Sequence, residues 1–173
     1  MHPDIKNLWE SDKARYPLKP WLKEQSIWAV YWYRHGQSVD LMKDGIWKKI
    51  NLKIYWFLFH ILELVTGISL SKDVTVGAGL RIYHFGNIFI HPNTVIGNNC
   101  ILRQGVTIGE GKLKGLVPVI GDNVEFGAGS MAIGDIKIGS NVIVGAMSLV
   151  NKSVNSNQVV VGVPAKPILE QTK

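Results

Sequence analysis

His84 is the residue of this sequence best placed to do chemistry. It stands in the segment Tyr83–His84–Phe85–Gly86–Asn87, where a repeat of six residues slips by two positions. A local conflict in a regular pattern is often found at a functional site. A histidine at neutral pH can act as the general base that takes a proton from a hydroxyl group. The alternative for His84 is a purely structural role.

The other reactive groups give weaker indications. His91 precedes Pro92 at a turn and is expected to face solvent. Cys100 falls in a column of small residues, so packing is its expected role and nucleophilic chemistry the alternative. There is no GxGxxG motif, Walker loop or cluster of metal-ligand residues, which argues against a nucleotide hydrolase and a metalloenzyme.

A repeat of six residues must position these groups. Apolar residues recur at this spacing over most of the segment 76–154, and glycines often follow them. A period of six fits neither a flat strand nor a helix, but it is typical of a β-helix, in which three hexads form one coil. An ordinary β-sandwich would not hold this phase for sixty residues. The column from Ile90 onward contains Ile90, Ile96, Leu102, Ile108, Ile120, Phe126, Ala132, Ile138, Val144 and Val150.

The repeat is interrupted between Glu110 and Pro118, although its phase is kept. This segment carries Lys112 and Lys114 and is expected to be a loop extruded from the coil. A flexible basic loop could close on a phosphorylated ligand, and a merely solvated loop is the alternative.

The first third of the chain predicts helices. A short one is expected over 4–14, a second over 21–35 ended by Gly36, and a third over 45–65 with Asp44 as its cap and Gly67 after its end. The expected organisation is a helical region (1–70), a β-helix domain (71–157) and a C-terminal strand and tail (158–173).

The third predicted helix is apolar on every side, so it is buried or meets lipid. It is too short and too interrupted by Lys53, His60 and Glu63 to span a bilayer. Packing against the coil or a neighbouring subunit is the main interpretation. Contact with a membrane surface is the alternative, favoured by lysines beside Trp47 and Trp56.

Charge and cysteine content bound the function further. The net charge of +6 suits an anionic partner, and since no nucleic-acid motif is visible, a phosphate-rich small ligand is expected. One cysteine allows no intramolecular disulfide. No signal peptide is recognisable, so a cytoplasmic location, with possible peripheral membrane contact, is the expectation.

The chain from about Ile68 to Ile168 resembles the hexapeptide-repeat acyltransferases, and within them the serine acetyltransferase branch. The segments that carry the resemblance are 79–88, 101–109, 118–122, 127–129, 145–150 and 162–166. The resemblance implies a left-handed parallel β-helix, a homotrimer with active sites between subunits, and acetyl-CoA as donor without a metal. Whether trimers pair further through their helices is left open.

The resemblance also assigns roles to residues. His84 would be the catalytic base. The coenzyme would lie along the coil in a groove lined by residues matching Gln104 to Gly109, Gly127, Ala128 and Ala146. Lys166, and more weakly Lys112 and Lys114, would lie near its phosphates.

The departures from the branch concern the acceptor. The family's Asp before the histidine is Tyr83 here, its Asp fifteen positions earlier is Ser69, and its Arg–His pair before Pro118 is Leu116–Val117. A buried charged amino acid without partners is costly. We therefore expect an O-acetyltransferase that acts on a saccharide or lipid-linked saccharide in polysaccharide assembly, with Tyr83 and Phe85 stacking on the sugar. The alternatives are a serine O-acetyltransferase of cysteine biosynthesis and a non-catalytic β-helix trimer.

Overall fold

Four helices precede a coil of short strands in the computed structural model, which describes residues 1–170 and, of Leu169 and Glu170, the backbone alone. The predicted tail residues 171–173 lie outside the described part. The helices are α1 (Pro3–Lys13), α2 (Pro20–Lys23), α3 (Ser26–Asp40) and α4 (Ile46–Thr66). The strands are β1 (Ile68–Ser69), β2 (Thr75–Val76), β3 (Arg81–Tyr83), β4 (Ile88–Ile90), β5 (Val95–Ile96), β6 (Ile101–Arg103), β7 (Thr107–Gly109), β8 (Val119–Ile120), β9 (Glu125–Phe126), β10 (Met131–Ile133), β11 (Lys137–Ile138), β12 (Ile143–Val144), β13 (Leu149–Val150), β14 (Gln158–Gly162) and β15 (Ala165–Glu170).

The strands form three parallel sheets, which are the three faces of a prism. The first face is β1-β4-β7-β10-β13, the second is β2-β5-β8-β11, and the third is β3-β6-β9-β12-β14. Strand β15 closes the third face by pairing antiparallel to β14. The mainly β fold with a parallel β-helix behind N-terminal helices, predicted from the period of six, is confirmed.

The apolar column predicted from the hexads fills the interior. Along the third face, Ile82 pairs with Leu102, Leu102 with Phe126, and Phe126 with Val144. All four side chains are completely buried. Each such side chain contributes about 1.5–3 kcal/mol through its removal from water.

The spacing of paired residues locates two insertions. Phe126 and Val144 are 18 positions apart, which is three hexads, whereas Ile82 and Leu102 are 20 apart and Leu102 and Phe126 are 24 apart. Because Ile90 and Ile108 are again 18 apart, the two extra residues of the first coil lie between Ile82 and Ile90, in the turn that holds His84. The six extra residues of the next coil form the predicted loop at 110–118, between β7 and β8.

The helices are fastened to the first coil by polar groups. Arg34 and Asp12 form a fully buried ion pair with an Nε–Oδ2 distance of 2.7 Å. Asp12 also accepts a hydrogen bond from the Leu80 backbone N–H at 2.7 Å, and Arg34 donates to the Val76 carbonyl at 3.0 Å. The Ser26 hydroxyl donates to the Ile82 carbonyl at 2.9 Å. These bonds hold the junction of α2 and α3 beside β3.

Three expectations about the helices are wrong. The helix predicted over 21–35 is divided into α2 and α3, because the backbone of Glu24 is extended. Gly36 does not end a helix, because α3 continues through it to Asp40. A Cβ at Gly36 would collide with the ring of Tyr55 on α4, so this glycine serves close helix packing. Asp44 does not cap α4 either; the cap residue is Gly45, and the Asp44 carboxylate accepts a hydrogen bond from Lys48 at 2.9 Å instead.

Helix α4 agrees with prediction in its extent and its end, at Thr66 with Gly67 in the left-handed conformation. It buries only Tyr55, Phe59 and Thr66. Its leucines at positions 52, 58 and 62 are half-buried, and its remaining large apolar side chains are exposed to solvent. Within residues 1–170, none of the helices combines the length and the apolar character that crossing a bilayer requires.

Candidate active site

The first face of the prism has two edges, and the turns at each edge carry different residues. Turns that arrive from the third face line one edge, here called the His84 edge: residues 84–87, 104–106, 127–130 and 145–148. Turns that leave for the second face line the other, here called the loop edge: residues 91–94 and the loop 110–118 among them. A strand of three residues separates the edges by about 10 Å.

The turn of His84 is held in an uncommon conformation. His84 has a φ of 67° and Asn87 of 54°, both in the left-handed region that ordinary residues seldom adopt. Hydrogen bonds clamp the turn from both sides: the Ile88 N–H donates to the Gly67 carbonyl at 2.9 Å, and the Gly105 N–H donates to the Gly86 carbonyl at 3.0 Å. The two inserted residues thus project the exposed His84 side chain outward from a fixed backbone.

A pocket of about 320 Å³ opens beside this turn. One wall is the predicted trio Tyr83, His84 and Phe85, and the other is formed by Lys23, Glu24 and Gln25, at the junction of α2 and α3. The pocket therefore joins an imidazole to a lysine and a carboxylate from the helical region. Sequence reasoning missed this second wall, because no period or motif links residues 23–25 to His84.

Tyr83 is less available to a ligand than its position suggests. The guanidinium of Arg81 lies 4.2 Å from the centre of its ring, and that of Arg103 lies 5.4 Å away. Arg81 also lies 3.9 Å from the ring centre of Tyr16 and pairs with Glu24, the Nη2–Oε2 distance being 2.5 Å. Phe85, with 49% of its surface exposed, is the free aromatic side chain of the pocket.

Four of the residues expected to bind the coenzyme come together along the His84 edge. The Gly129 N–H donates to the Gln104 carbonyl, and the Met147 N–H donates to the Ala128 carbonyl, each at 2.9 Å. This stacking aligns Gln104, Ala128 and Ala146, with Gly127 beside them. The result is a column that begins next to the His84 turn with Gln104 and continues with the small residues Ala128 and Ala146.

The other residues expected to bind acetyl-CoA lie away from the His84 edge of the same chain. Gly109 ends β7 at the loop edge, where a Cβ would meet nothing within 4 Å. Lys112 and Lys114 follow in the loop, which is tied to the coil by the pair His91 Nε2–Glu110 Oε1 at 2.7 Å. Lys166 is exposed on β15, opposite Val161.

The remaining reactive groups are engaged elsewhere. Asp73 lies near the loop edge, and its Oδ1 is 3.0 Å from Lys72 Nζ. Cys100 is buried, and burial raises the pKa of its thiol to about 11. Among the side chains that the structure describes, those of residues 1–168, no three of His, Cys, Asp or Glu are grouped so that they could hold a metal ion.

Comparison with known proteins places the chain in a family. Residues 118–152 match the family described as bacterial transferase hexapeptide (six repeats). The serine acetyltransferase of Staphylococcus epidermidis is 34% identical over 174 residues, covering 99% of this chain and 78% of the relative. The chain belongs to the serine acetyltransferase family. The predicted resemblance to hexapeptide-repeat acyltransferases is therefore confirmed.

Other members of the serine acetyltransferase family are also similar to this chain, in sequence or in structure. The serine acetyltransferase of Synechococcus elongatus is 38% identical over 113 residues, which are 64% of this chain but 46% of that relative, so the chain spans less than half of its length. The crystal structure of the Neisseria gonorrhoeae serine acetyltransferase matches with a TM-score of 0.84 and 32% identity, covering 99% of this chain and 67% of that one. The Brucella abortus serine acetyltransferase in complex with coenzyme A matches with a TM-score of 0.79 and 27% identity, covering 98% and 66%.

The prediction of a saccharide acceptor in polysaccharide biosynthesis is wrong, because these relatives are serine acetyltransferases over nearly the whole chain. The charged residues that the family carries at positions 69, 83 and 116–117 are absent, but the helical region brings other charged residues to the site. Lys23 and Glu24 line the pocket of His84, where the Glu24 carboxylate pairs with Arg81.

Proposed function

We propose that this chain is an acetyl-CoA-dependent serine O-acetyltransferase in which His84 is the general base. The observation that carries the proposal is the pocket that His84, Lys23 and Glu24 line together. Membership of the serine acetyltransferase family supplies the acceptor. A zwitterionic amino acid needs both a cation and an anion beside its reacting hydroxyl, and this pocket has both.

Lys23 and Glu24 are assigned to the charged ends of serine. The carboxylate of serine would pair with the Lys23 ammonium, and its ammonium with the Glu24 carboxylate. Glu24 is fixed for this task because Arg81, itself held by Tyr16, pairs with its Oε2. Charge-assisted hydrogen bonds of this kind are short and oriented, so they would point the serine hydroxyl at His84.

The column along the His84 edge is assigned to the donor. Gly127, Ala128 and Ala146 project little side chain from the coil, which leaves room for an extended ligand beside the Gln104 amide. The open space at Gly109 fits the same requirement. Lys166 is assigned to phosphate contacts, as an exposed cation on the hairpin of β14 and β15.

In the proposed mechanism, His84 takes a proton from the serine hydroxyl and gives it to the departing sulfur. Acetyl-CoA supplies the thioester whose carbonyl carbon is attacked and whose thiol is released. The imidazole of His84 accepts the proton of the serine hydroxyl as the oxygen bonds to that carbon. It then returns the proton to the departing sulfur, so the histidine ends as it began. Backbone N–H groups of the His84 edge are suited to stabilise the negative charge on the carbonyl oxygen.

Assembly into a homotrimer is part of the proposal. Lys112 and Lys114 leave the coil at the loop edge, about 10 Å from the His84 edge across the first face of their own chain. A trimer with active sites between neighbouring subunits would let the loop of one subunit reach the donor column of the next. The lysines then gain a place near the coenzyme phosphates that one chain does not give them.

The test is product formation. Purified protein is incubated with acetyl-CoA and L-serine, thiol release is followed, and O-acetylserine is sought by mass spectrometry. We expect thiol release that depends on L-serine and gives O-acetylserine in equal amount. Thiol release that requires a different hydroxyl compound would refute the acceptor. Failure to bind acetyl-CoA would support a non-catalytic trimer instead.

A further inference from the structure

Helix α4 carries a long apolar surface that no part of the described chain covers. Leu64 is 87% exposed, Trp47 71% and Phe57 67%. Isolated apolar side chains on a surface are ordinary, but a contiguous stripe marks a site of interaction. The stripe, here called the α4 stripe, consists of Trp47, Ile50, Ile54, Phe57, Ile61 and Leu64.

The α4 stripe is separate from the side of the helix that packs on the protein. Its members follow one another at spacings of three and four residues, so they share one side of a helix. Tyr55, Phe59 and Thr66 are the buried residues of α4, and they lie on the other side, toward α3 and the coil. From Trp47 to Leu64 the stripe extends about 25 Å along the helix at 1.5 Å per residue.

The charges around the α4 stripe are of one sign. Lys49 and Lys53 are exposed beside it, and so is His60. The carboxylate of Glu63 is half-buried and 3.5 Å from His60 Nδ1, and that of Asp44, before the helix, is 2.9 Å from Lys48 Nζ. The exposed surface of α4 within Ile46–Thr66 is therefore apolar and basic, without an exposed acid.

We propose that the α4 stripe lies on the surface of a membrane that contains anionic phospholipid. A helix with this arrangement can rest in the interfacial plane, with its apolar side among the acyl chains and its lysines at the head groups. Anionic lipid complements the exposed ammonium groups of Lys49 and Lys53, whereas α4 of a second copy would bring the same exposed cations beside its own stripe.

The test uses the whole protein and vesicle flotation, and it is independent of serine turnover. Vesicles of phosphatidylcholine alone are compared with vesicles that contain phosphatidylglycerol. We expect flotation with the anionic vesicles, weak flotation with the neutral ones, and a loss at high salt. The double variant Phe57→Asp/Leu64→Asp should lower the partition coefficient at least tenfold. Leu18→Asp is the matched control, since Leu18 is 88% exposed but lies outside α4.

A second variant, Lys49→Glu/Lys53→Glu, changes the charge and leaves the α4 stripe intact. It should abolish the preference for anionic vesicles. The proposal is overturned if the wild type does not float with anionic vesicles, or if the Phe57→Asp/Leu64→Asp protein floats equally well. It is also overturned if that variant has a smaller native mass by light scattering without lipid, because a second copy would then cover the stripe.

Discussion

Glu24 lies at the end of a short chain of contacts that begins at Arg81 and reaches the pocket of His84. Its Oε2 is 2.5 Å from the Arg81 Nη2, and the Arg81 guanidinium lies over the rings of Tyr16 and Tyr83. Glu24 comes from the helical region and Arg81 from the first coil. Their pairing is what makes a helix junction part of the candidate active site.

Replacing Glu24 by Gln should weaken serine binding more than it slows the chemical step. The amide keeps the size of the side chain but loses the charge that faces the serine ammonium. Since a hydrogen bond to a charged group is worth about 1.5–3 kcal/mol, the KM for serine should rise by about tenfold or more. Steady-state kinetics at saturating acetyl-CoA measure this. Glu10→Gln, on α1, is the control, and an unchanged KM in Glu24→Gln would remove Glu24 from the acceptor site.

Breaking the buried pair of Asp12 and Arg34 should destabilise the whole protein. Asp12→Ala leaves the Arg34 guanidinium buried without its counter-charge. Loss of one partner of such a pair costs about 3–5 kcal/mol. Urea unfolding followed by circular dichroism should show this loss in the free energy of unfolding. Asp44→Ala, which removes an exposed ion pair, should leave the unfolding curve where it is.

Gly36→Ala should also destabilise the protein, by about 1–3 kcal/mol, because the added methyl group must displace the Tyr55 ring. Gly109→Ala is the matched control, since a Cβ there meets nothing within 4 Å and its φ is not in the left-handed region. Thermal unfolding of the two variants compares them directly. Equal melting temperatures would show that α3 and α4 pack less closely than described.

Cys100 should be unreactive in the folded protein. Burial raises the pKa of its thiol to about 11, so almost no thiolate exists at pH 8. A thiol reagent should modify it only after unfolding, which can be followed by absorbance with and without denaturant. Rapid modification of the native protein at pH 8 would mean that the thiol is accessible and would reopen a chemical role for Cys100.

The repeat and its irregularities could be predicted from the sequence because both are local. The period of six specified the coil, the slip at His84 specified an inserted turn, and the break at 110–118 specified a loop. Gln104, Ala128 and Ala146 stack because they occupy one register position of that repeat. Each of these inferences needs only spacing along the chain.

The acceptor wall could not be predicted in this way. Lys23 and Glu24 line the pocket of His84 because Ser26 and Arg34 donate hydrogen bonds that hold the helices on the first coil. The carbonyls that accept these bonds are 56 and 42 positions further along the chain. Such docking follows no period. Gly36 is a related case. From the sequence alone, a glycine that permits close packing of two helices cannot be distinguished from a glycine that ends a helix. Without the helical wall in view, the absence of the family's charged residues at positions 69, 83 and 116–117 argues against serine as the acceptor.

The role of His84 is tested most directly by kcat for acetyl transfer to L-serine in three proteins. These are the wild type, His84→Ala, and His60→Ala as the control, because His60 is an exposed histidine on α4 that does not line the pocket. We predict that His84→Ala lowers kcat by about 10²–10⁴-fold, the usual contribution of a general base, with acetyl-CoA binding retained, and that His60→Ala has little effect. Serine turnover that survives in His84→Ala would contradict the central claim.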